Sequence, residues 1–324
     1  MSAILRSGLP VSARAPGKCI LFGEHAVVHG RPELLLAIDL YTQVAARASD
    51  RLTLNGDPAA AAQHPYLHRA LSELWDPARP PLAFTSVSRV PPSAGLGSSA
   101  AFSAATGAAL IAATGGAERS HLAQAAFDIE RGAQGVGSPG DTSASVAGGL
   151  VTVNAGTGSL LWEVAHGERR WEVRRVTDPG WVWLVAYTGV PRNTGETVRA
   201  VGRRLAEPDG PALLDRFEAV ARAGVAAVLA EDRPEVGRRL AENQELLRKV
   251  GVSHPRLETL LDAVGPAVEG AKLTGAGAGG SIVALPRPGH EIEAQRRAAR
   301  AGALAFIVRA SPSGAQIVEA PSSG

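Results

Sequence analysis

Short apolar runs separated by Gly and Pro fill the first part of the chain, a pattern typical of β-strands joined by tight turns. The Gly and Pro positions end each run after a few residues, so helices are not expected there. We predict strands at residues 11–22, with an interruption at 15–18, and at residues 26–28, 34–46, 51–54 and 82–90.

Longer segments with apolar residues every three or four positions follow and predict helices. The predicted helices are residues 64–74, 98–114, 118–133, 194–205, 210–230, 233–250, 255–265 and 288–302. Further strands are predicted at residues 181–187, 281–285 and 303–309, with a hairpin at 148–153 and 160–164 and a short strand near the end. Strands thus dominate early and helices late, which favours an α+β fold of two domains, residues 1–178 and 179–324.

The composition is that of a globular protein, with 45% hydrophobic and 20% charged residues in 324. The net charge of +2 gives no sign of a nucleic-acid-binding surface. Cys19 is the single cysteine, so no internal disulfide can form, which favours a reducing compartment and a cytoplasmic location. We find no signal peptide and no apolar stretch long enough to cross a membrane, so no membrane partner is expected.

A glycine-rich turn at residues 91–101 (PPSAGLGSSAA) leads directly into a predicted helix. Gly95 and Gly97 permit a tight backbone turn, and Ser98 and Ser99 lie where the helix begins. Helix N-termini bind anions through their free N–H groups and positive dipole end. The turn lacks the Gly-Lys-Ser/Thr ending of a Walker A loop. A phosphate-binding loop and a purely structural turn both remain open from the residues alone.

A second glycine run, residues 275–280 (GAGAGG), formally matches the dinucleotide-binding pattern G-x-G-x-x-G. A dinucleotide site needs a helix after the loop, whereas residues 281–285 predict a strand followed by Pro286. We therefore reject a Rossmann-type dehydrogenase. The run is either a bulged turn or a second backbone wall of a pocket.

Three charged residues complete a set suited to phosphoryl transfer. Taken singly, Lys18 suits an exposed strand start, Glu130 a solvated helix end, and Asp141 a Gly/Pro-rich loop. Together with two glycine loops they supply a cation, a Mg²⁺ ligand and a group that aligns or deprotonates a hydroxyl. His25 and His29 have the spacing of a zinc motif but lack its glutamate and its helix, so packing or substrate binding is favoured.

Three segments resemble the motifs of the GHMP small-molecule kinases, in the family's order. These are residues 15–25 (APGKCILFGEH), residues 91–101 and residues 272–280 (KLTGAGAGG). Within the family, the chain is most similar to mevalonate kinases, on residues 23–30 (GEHAVVHG), the spacing of Glu130 and Asp141, residues 190–194 and the region from 243 to 253. It departs from them in the order Ser-Pro-Gly before Asp141, in Ala278, and in Glu33, where a small residue is common.

The resemblance implies an N-terminal domain like domain 2 of ribosomal protein S5 and a ferredoxin-like C-terminal domain, with the active site between them. It also implies ATP- and Mg²⁺-dependent phosphorylation of the C5 hydroxyl of mevalonate, in isoprenoid biosynthesis. Asp141 would act on the hydroxyl beside Lys18, and Glu130 with Ser98 or Ser99 would hold Mg²⁺. The residues expected to bind ATP are Pro92, Ser93, Ala94, Gly95, Leu96, Gly97, Ser98, Ser99 and Ala100. Those expected at the substrate are Glu24, His25, Arg192, Thr194, Gly275, Ala276 and Gly277.

Other members of the family remain alternatives at this point. A phosphomevalonate kinase, an enzyme like mevalonate-diphosphate decarboxylase, a sugar kinase and an inactive ligand-binding relative would share most of these motifs. Intact Lys18, Glu130 and Asp141 argue against the inactive relative. Family habit further suggests a homodimer.

Overall fold

Two antiparallel-rich β-sheets, each covered by helices, form the framework of the structure, a computed structural model that describes residues 8–116, 118–191 and 194–319. The first sheet has eight strands in the order β12-β1-β2-β5-β7-β6, and β4 pairs with β2 and β3. Its strands are β1 (Val11–Phe22), β2 (Glu33–Ala48), β3 (Thr53–Leu54), β4 (Leu82–Ser88), β5 (Leu150–Val153), β6 (Ser159–His166), β7 (Arg169–Val176) and β12 (Gln316–Val318).

The second sheet has four antiparallel strands in the order β11-β8-β10-β9. Its strands are β8 (Trp183–Tyr187), β9 (Val268–Thr274), β10 (Ser281–Pro286) and β11 (Leu304–Val308). The helices are α1 (Pro58–Ala62), α2 (Pro65–Leu74), α3 (Ser98–Ala113), α4 (Arg119–Gln134), α5 (Gly140–Ala147), α6 (Thr194–Leu205), α7 (Gly210–Leu229), α8 (Arg233–Lys249), α9 (Pro255–Val264) and α10 (Glu291–Arg300).

Helix α3 is the buried helix of the first half. Every residue from Ala100 to Ala113 is buried, and the helix packs on β1, β2, α2, α4 and α5. Its Ala, Ser and Gly side chains are small, so neighbouring elements can approach it from all sides. None of the helices within the described ranges is long and apolar enough to cross a membrane.

The α+β class and most predicted elements are confirmed, including strand β10 directly after the second glycine run. Strand β1 is continuous, with only a register shift at Pro16 and Gly17 where an interruption was predicted. The last strand pairs with β1, so the chain returns to the first sheet at its end. The predicted domain boundary at residue 178 lies between β7 of the first sheet and β8 of the second, and it stays a prediction.

Three predicted elements are wrong. Residues 26–28 lie in a 3-10 helix, Ala26–His29, because local hydrogen bonds from Val27 to Gly23 and from Gly30 to Val27 close tight turns there. The predicted hairpin at 148–164 is also wrong, because β5 and β6 both pair with β7 instead of with each other. Strand β7 was not predicted, because its several arginines mask the apolar pattern of a strand. Its apolar residues Trp171, Val173 and Val176 are nevertheless buried.

The third wrong prediction concerns Asp141, which was expected in a loop. It lies in the first turn of α5, where the Ser143 N–H donates to the Pro139 carbonyl over 2.8 Å. Pro and Gly before a helix mark its start as readily as they mark a loop, since Pro has no N–H to satisfy in the first turn. The negative charge of Asp141 also suits the positive end of the helix dipole.

A buried ion pair joins the two sheets. Lys272 of β9 donates to the carboxylate of Glu24, just after β1, and the side chains of both residues are almost fully buried. Burial raises the pKa of Glu24 and lowers that of Lys272, and each charge compensates the other. Beside the pair, the Thr274 hydroxyl donates to the Ile20 carbonyl over 3.1 Å and accepts from the Ile20 N–H over 2.7 Å.

Replacing Lys272 by Met is expected to lower the free energy of unfolding by about 3–5 kcal/mol, because the substitution leaves Glu24 buried without its counter-charge. Chemical denaturation of the purified protein measures the change. Lys249→Met is the matched control, since Lys249 ends α8 in solvent, and it should change the value by less than about 0.5 kcal/mol. Equal effects of the two substitutions would show that the buried Glu24 carboxyl group does not need the counter-charge of Lys272.

Candidate active site

The first glycine-rich turn connects β4 to α3 and lies over the middle of β1. Gly97 has a φ of 73°, and a Cβ atom there would lie 2.8 Å from the Lys18 side chain, so only glycine fits. The Lys18 N–H donates to the Leu96 carbonyl over 2.9 Å, which holds the turn against β1. Helix α3 then begins at Ser98, with its first N–H groups at the turn.

A large cleft opens beside this turn. Its volume is about 760 Å³, within the usual range for a site that holds a molecule the size of a nucleotide. Leu96 and Ala100 are buried behind the turn and do not line the cleft, so only their backbones could contribute. The predicted residues that do line it are Pro92, Ser93, Ala94, Gly95, Gly97, Ser98 and Ser99.

A smaller pocket, about 90 Å³, lies on the other side of Asp141. Lys18, Glu24, His25, Glu130, Gly275 and Ala276 of the predicted site residues line it. Asp141 and Gln134 line both the pocket and the cleft. The carboxylate of Asp141 therefore stands between a space for a large ligand and a space for a small one.

Lys18 and Asp141 form an ion pair at this junction, with 2.9 Å between Lys18 Nζ and Asp141 Oδ1. The Lys18 side chain is 1% exposed, contrary to what a strand-start lysine suggests, and it also donates to the Gly95 carbonyl over 3.3 Å. The Asp141 side chain is 32% exposed and so faces the open space. Lys18 thus links the glycine turn to the carboxylate.

Glu130 lies near the end of α4 as predicted, and its carboxylate faces the glycine turn. It accepts from the Ser99 hydroxyl over 2.6 Å and from the Gln134 amide over 3.0 Å. Burial, with the nearby negative charge of Asp141, raises the pKa of Glu130 to about 7. A cation bound here would reverse this shift, because it would stabilise the ionised carboxylate.

The oxygen donors of this corner fit Mg²⁺. Mg²⁺ prefers hard oxygen ligands and in proteins commonly takes one or two carboxylates, with substrate phosphates and water completing its shell. Glu130 and the hydroxyls of Ser98 and Ser99 supply such donors. No group of three or more His, Cys, Asp or Glu side chains that could hold a metal occurs among the described residues.

The second glycine run forms part of the smaller pocket. His25 has the unusual φ of 62°, and its Nε2 lies 3.0 Å from the Ala276 carbonyl. Gly277 does not line the pocket; a Cβ there would lie 2.4 Å from the Val252 carbonyl, so this glycine allows close packing. Ser281 at the end of the run donates to the Ala94 carbonyl over 2.7 Å and joins the two glycine segments.

Some predicted substrate residues lie elsewhere or cannot be placed. The Glu24 carboxylate is engaged by Lys272, so its primary contact is that lysine, although it borders the pocket. Arg192 lies outside the described residues, and of Thr194 only its place at the start of α6 is described.

The sequence did not reveal several lining residues. Gln134 lies four positions after Glu130, so helical spacing alone could have placed both on one face. Tyr66 and Arg199 carried no comparable signal for the site, and Glu33 stood out only as a departure from the family's pattern. Tyr66 is tied to the site through its hydroxyl, which accepts from Gln134 over 3.2 Å.

Two family models match the chain. The GHMP kinases N terminal domain matches residues 61–149 and the GHMP kinases C terminal model matches residues 225–304. Among solved structures, L. major mevalonate kinase in complex with R-mevalonate has a TM-score of 0.78 at 23% identity, covering 97% of this chain and 100% of that one. Lactococcus lactis galactokinase complexed with galactose has a TM-score of 0.75 at 18% identity, covering 94% of each chain. These likenesses show a shared two-domain fold.

A sequence relative gives a closer comparison. The mevalonate kinase of Archaeoglobus fulgidus is 34% identical over 84% of this chain and 91% of the relative. The relative and the two family models bear out the resemblance of the three motifs to this family. The chain therefore belongs to the GHMP kinase family and has its two-domain fold.

Proposed function

We propose that the protein transfers the γ-phosphoryl group of ATP to the C5 hydroxyl of mevalonate. The observation that carries this proposal is the position of Asp141, which lines both the large cleft and the small pocket. A phosphoryl donor in the cleft and a small alcohol in the pocket would then meet at one carboxylate. The mevalonate kinase relative from Archaeoglobus fulgidus supports this choice of alcohol.

ATP would bind in the large cleft with its phosphates against the first glycine turn. The turn and the start of α3 offer backbone N–H groups and a positive dipole end, which suit phosphate oxygens. Gly97 allows this backbone to approach Lys18 closely, so the phosphates would lie near a buried ammonium group. Such fixed groups stabilise the charge that develops during phosphoryl transfer without needing to reorganise.

Asp141 would accept the proton of the attacking hydroxyl, or hold that hydroxyl in line with the phosphoryl group. Its ion pair with Lys18, 2.9 Å long, holds the carboxylate at the junction of the cleft and the pocket. The Lys18 ammonium would also stabilise negative charge on the attacking oxygen. The bond from this oxygen to phosphorus forms as the bond from phosphorus to the ADP oxygen breaks.

Glu130, with Ser98 or Ser99, would hold Mg²⁺ together with the ATP phosphates. When bound, Mg²⁺ neutralises phosphate charge and lowers the barrier to transfer. Gln134 donates to both Glu130 and Ser99, so it would orient these two ligands. Second contacts of this kind commonly fix the geometry of a metal ligand.

The small pocket would hold mevalonate, with His25, Gly275 and Ala276 in its wall. The contact between His25 Nε2 and the Ala276 carbonyl holds the imidazole in place in this wall. Arg192 and Thr194 stay predictions for the carboxylate end of the substrate, because a guanidinium group binds a carboxylate through two hydrogen bonds. A cytoplasmic location and a homodimer likewise stay predictions.

The first test is ADP release by the purified protein with ATP and Mg²⁺, measured separately with mevalonate, phosphomevalonate, homoserine and galactose. Turnover confined to mevalonate is the expected result. Turnover confined to another of these alcohols would overturn the choice of substrate and leave phosphoryl transfer in place. ATP binding without turnover of any of them would contradict the proposed reaction.

Asp141→Asn should lower kcat for mevalonate by at least ~100-fold, because the amide cannot accept the hydroxyl proton. The affinity for ATP, measured by calorimetry, should change little, since the glycine turn is intact. Asp262→Asn is the control, because Asp262 is exposed on α9 away from the cleft. Near-normal turnover of Asp141→Asn would remove this residue from the proposed role.

Glu130→Gln should raise the Mg²⁺ concentration needed for half-maximal turnover by ~10-fold or more, because an amide is a weaker ligand than a carboxylate. A Mg²⁺ titration at fixed ATP measures this change. Glu118→Gln serves as the control, since Glu118 is exposed at the opposite end of the same helix. An unchanged Mg²⁺ requirement would assign the metal to other ligands.

A further inference from the structure

A buried carboxyl group that the proposed reaction does not use lies in the wall of the small pocket. Glu33 is the first residue of β2 and is 1% exposed. Its Oε2 atom is buried and has no hydrogen-bond partner among the residues that the structure describes. Leaving a polar atom unsatisfied in the interior costs free energy, so a group of this kind calls for an explanation.

Glu33 is in close contact with the backbone that carries Asp141. A Cβ atom on Gly140 would lie 2.1 Å from Glu33 Oε2, so the carboxyl group occupies the space that any side chain at position 140 would need. Gly140 is the first residue of α5 and immediately precedes Asp141. The Glu33 side chain therefore forms a packed support under the first turn of the helix that presents the catalytic carboxylate.

The buried cations around Glu33 already have partners. Lys18 pairs with Asp141, and Lys272 pairs with Glu24. The charges of these four groups also influence the pKa of Glu33. Lys18 lies on β1, Asp141 on α5, Glu24 in the turn after β1 and Lys272 on β9. Two ammonium groups therefore face two carboxylates around Glu33. If Glu33 ionised, it would add a third negative charge, and none of the charged groups named here would be left to pair with it.

We propose that Glu33 is a positioning residue, which holds the Asp141 carboxylate in place through its contact with Gly140. This proposal rests on the phosphoryl transfer proposed above. Burial, with the negative charge of Asp141, holds the pKa of Glu33 well above its usual value, which favours the neutral carboxylic acid over the carboxylate. With Glu33 neutral, the Lys18 ammonium forms its ion pair with Asp141 only.

Ionisation of Glu33 would disturb this arrangement. The new carboxylate would compete with Asp141 for the Lys18 ammonium, and it would place negative charge beside the phosphoryl group being transferred. Turnover should therefore require that Glu33 is protonated, and it should fall as the pH rises through the pKa of Glu33. In Glu33→Gln the new side chain has nearly the same shape as Glu but cannot ionise. This variant therefore distinguishes the effect of the charge at position 33 from the effect of its packing.

The first experiment compares the thermal stability of Glu33→Gln and wild-type protein across pH. A carboxyl group with a raised folded-state pKa stabilises the fold below its unfolded value of 4.5 and loses this contribution as the pH rises through the folded-state value. The melting temperature of Glu33→Gln relative to wild type should therefore rise with pH, by ~2 °C or more between acidic and alkaline buffer. Glu118→Gln, at an exposed position, should show no such trend.

The second experiment measures kcat and KM of the same proteins and of Glu33→Ala from neutral to alkaline pH. We expect Glu33→Ala to lower kcat by ~10-fold with KM for ATP unchanged, because a small displacement of Asp141 is enough for such a loss. Glu33→Gln should recover most of this loss. Its kcat relative to wild type should increase with pH, which lost packing alone would not produce.

A third comparison tests the contact with Gly140. Gly140→Ala alone should lower kcat strongly, because its methyl group meets the Glu33 carboxyl group. Combining it with Glu33→Ala should restore part of the activity relative to Gly140→Ala alone, because the truncated side chain vacates that space. Recovery in the double variant would show that the two residues act through one contact.

Distinct results would overturn the proposal. A melting difference between Glu33→Gln and wild type that does not change with pH would show that Glu33 is not held neutral by the fold. Equal kcat values for wild type and Glu33→Ala would show that it does not position Asp141. Absence of wild-type turnover with mevalonate would instead count against the proposed substrate; the melting comparison needs no substrate, and the kinetic comparisons would use whichever alcohol is turned over.

Discussion

The ion pair between Lys272 and Glu24 is the interaction on which the active site depends, because it fixes the second sheet to the end of β1. Glu24 lies beside His25, and Lys272 lies shortly before the second glycine run. The pair therefore sets the distance between the two walls of the small pocket. A buried pair costs desolvation energy and gives little net stability compared with apolar packing. Its value here lies in specifying one relative position of two sheets.

Close backbone approach is the second constraint, and it explains why glycine occurs at particular places in the site. Lys18 can lie under the first glycine turn only because position 97 has no side chain. The helix that carries Asp141 can begin beside Glu33 only because position 140 has no side chain. In both cases a buried charged or polar side chain takes the volume that a Cβ would need. The catalytic groups are thus held by packing as well as by charge.

The sequence allowed the fold class and most elements to be predicted, since periodic apolar patterns and glycine turns are local signals. The roles given to Lys18, Glu130 and Asp141 stay predictions, although the structure places all three residues around one site. It did not allow the pairing of β5 with β7, because strand partners are chosen by contacts far apart in the chain. Asp141 was assigned to a loop because Pro and Gly are common in loops and at helix starts alike. The burial of Glu33 could not be seen, since a single polar residue at the start of an apolar strand is usually exposed.

The return of the chain to the first sheet has a consequence for how the protein folds during synthesis. Strand β12 covers the edge of β1 through pairs such as Ser12 with Val318, so that edge stays open until β12 has been synthesised. An uncovered strand edge can pair with other chains and promote aggregation. The N-terminal half is made first yet cannot complete its own sheet. Chains that are truncated before β12 should therefore depend more on chaperones than chains that include it.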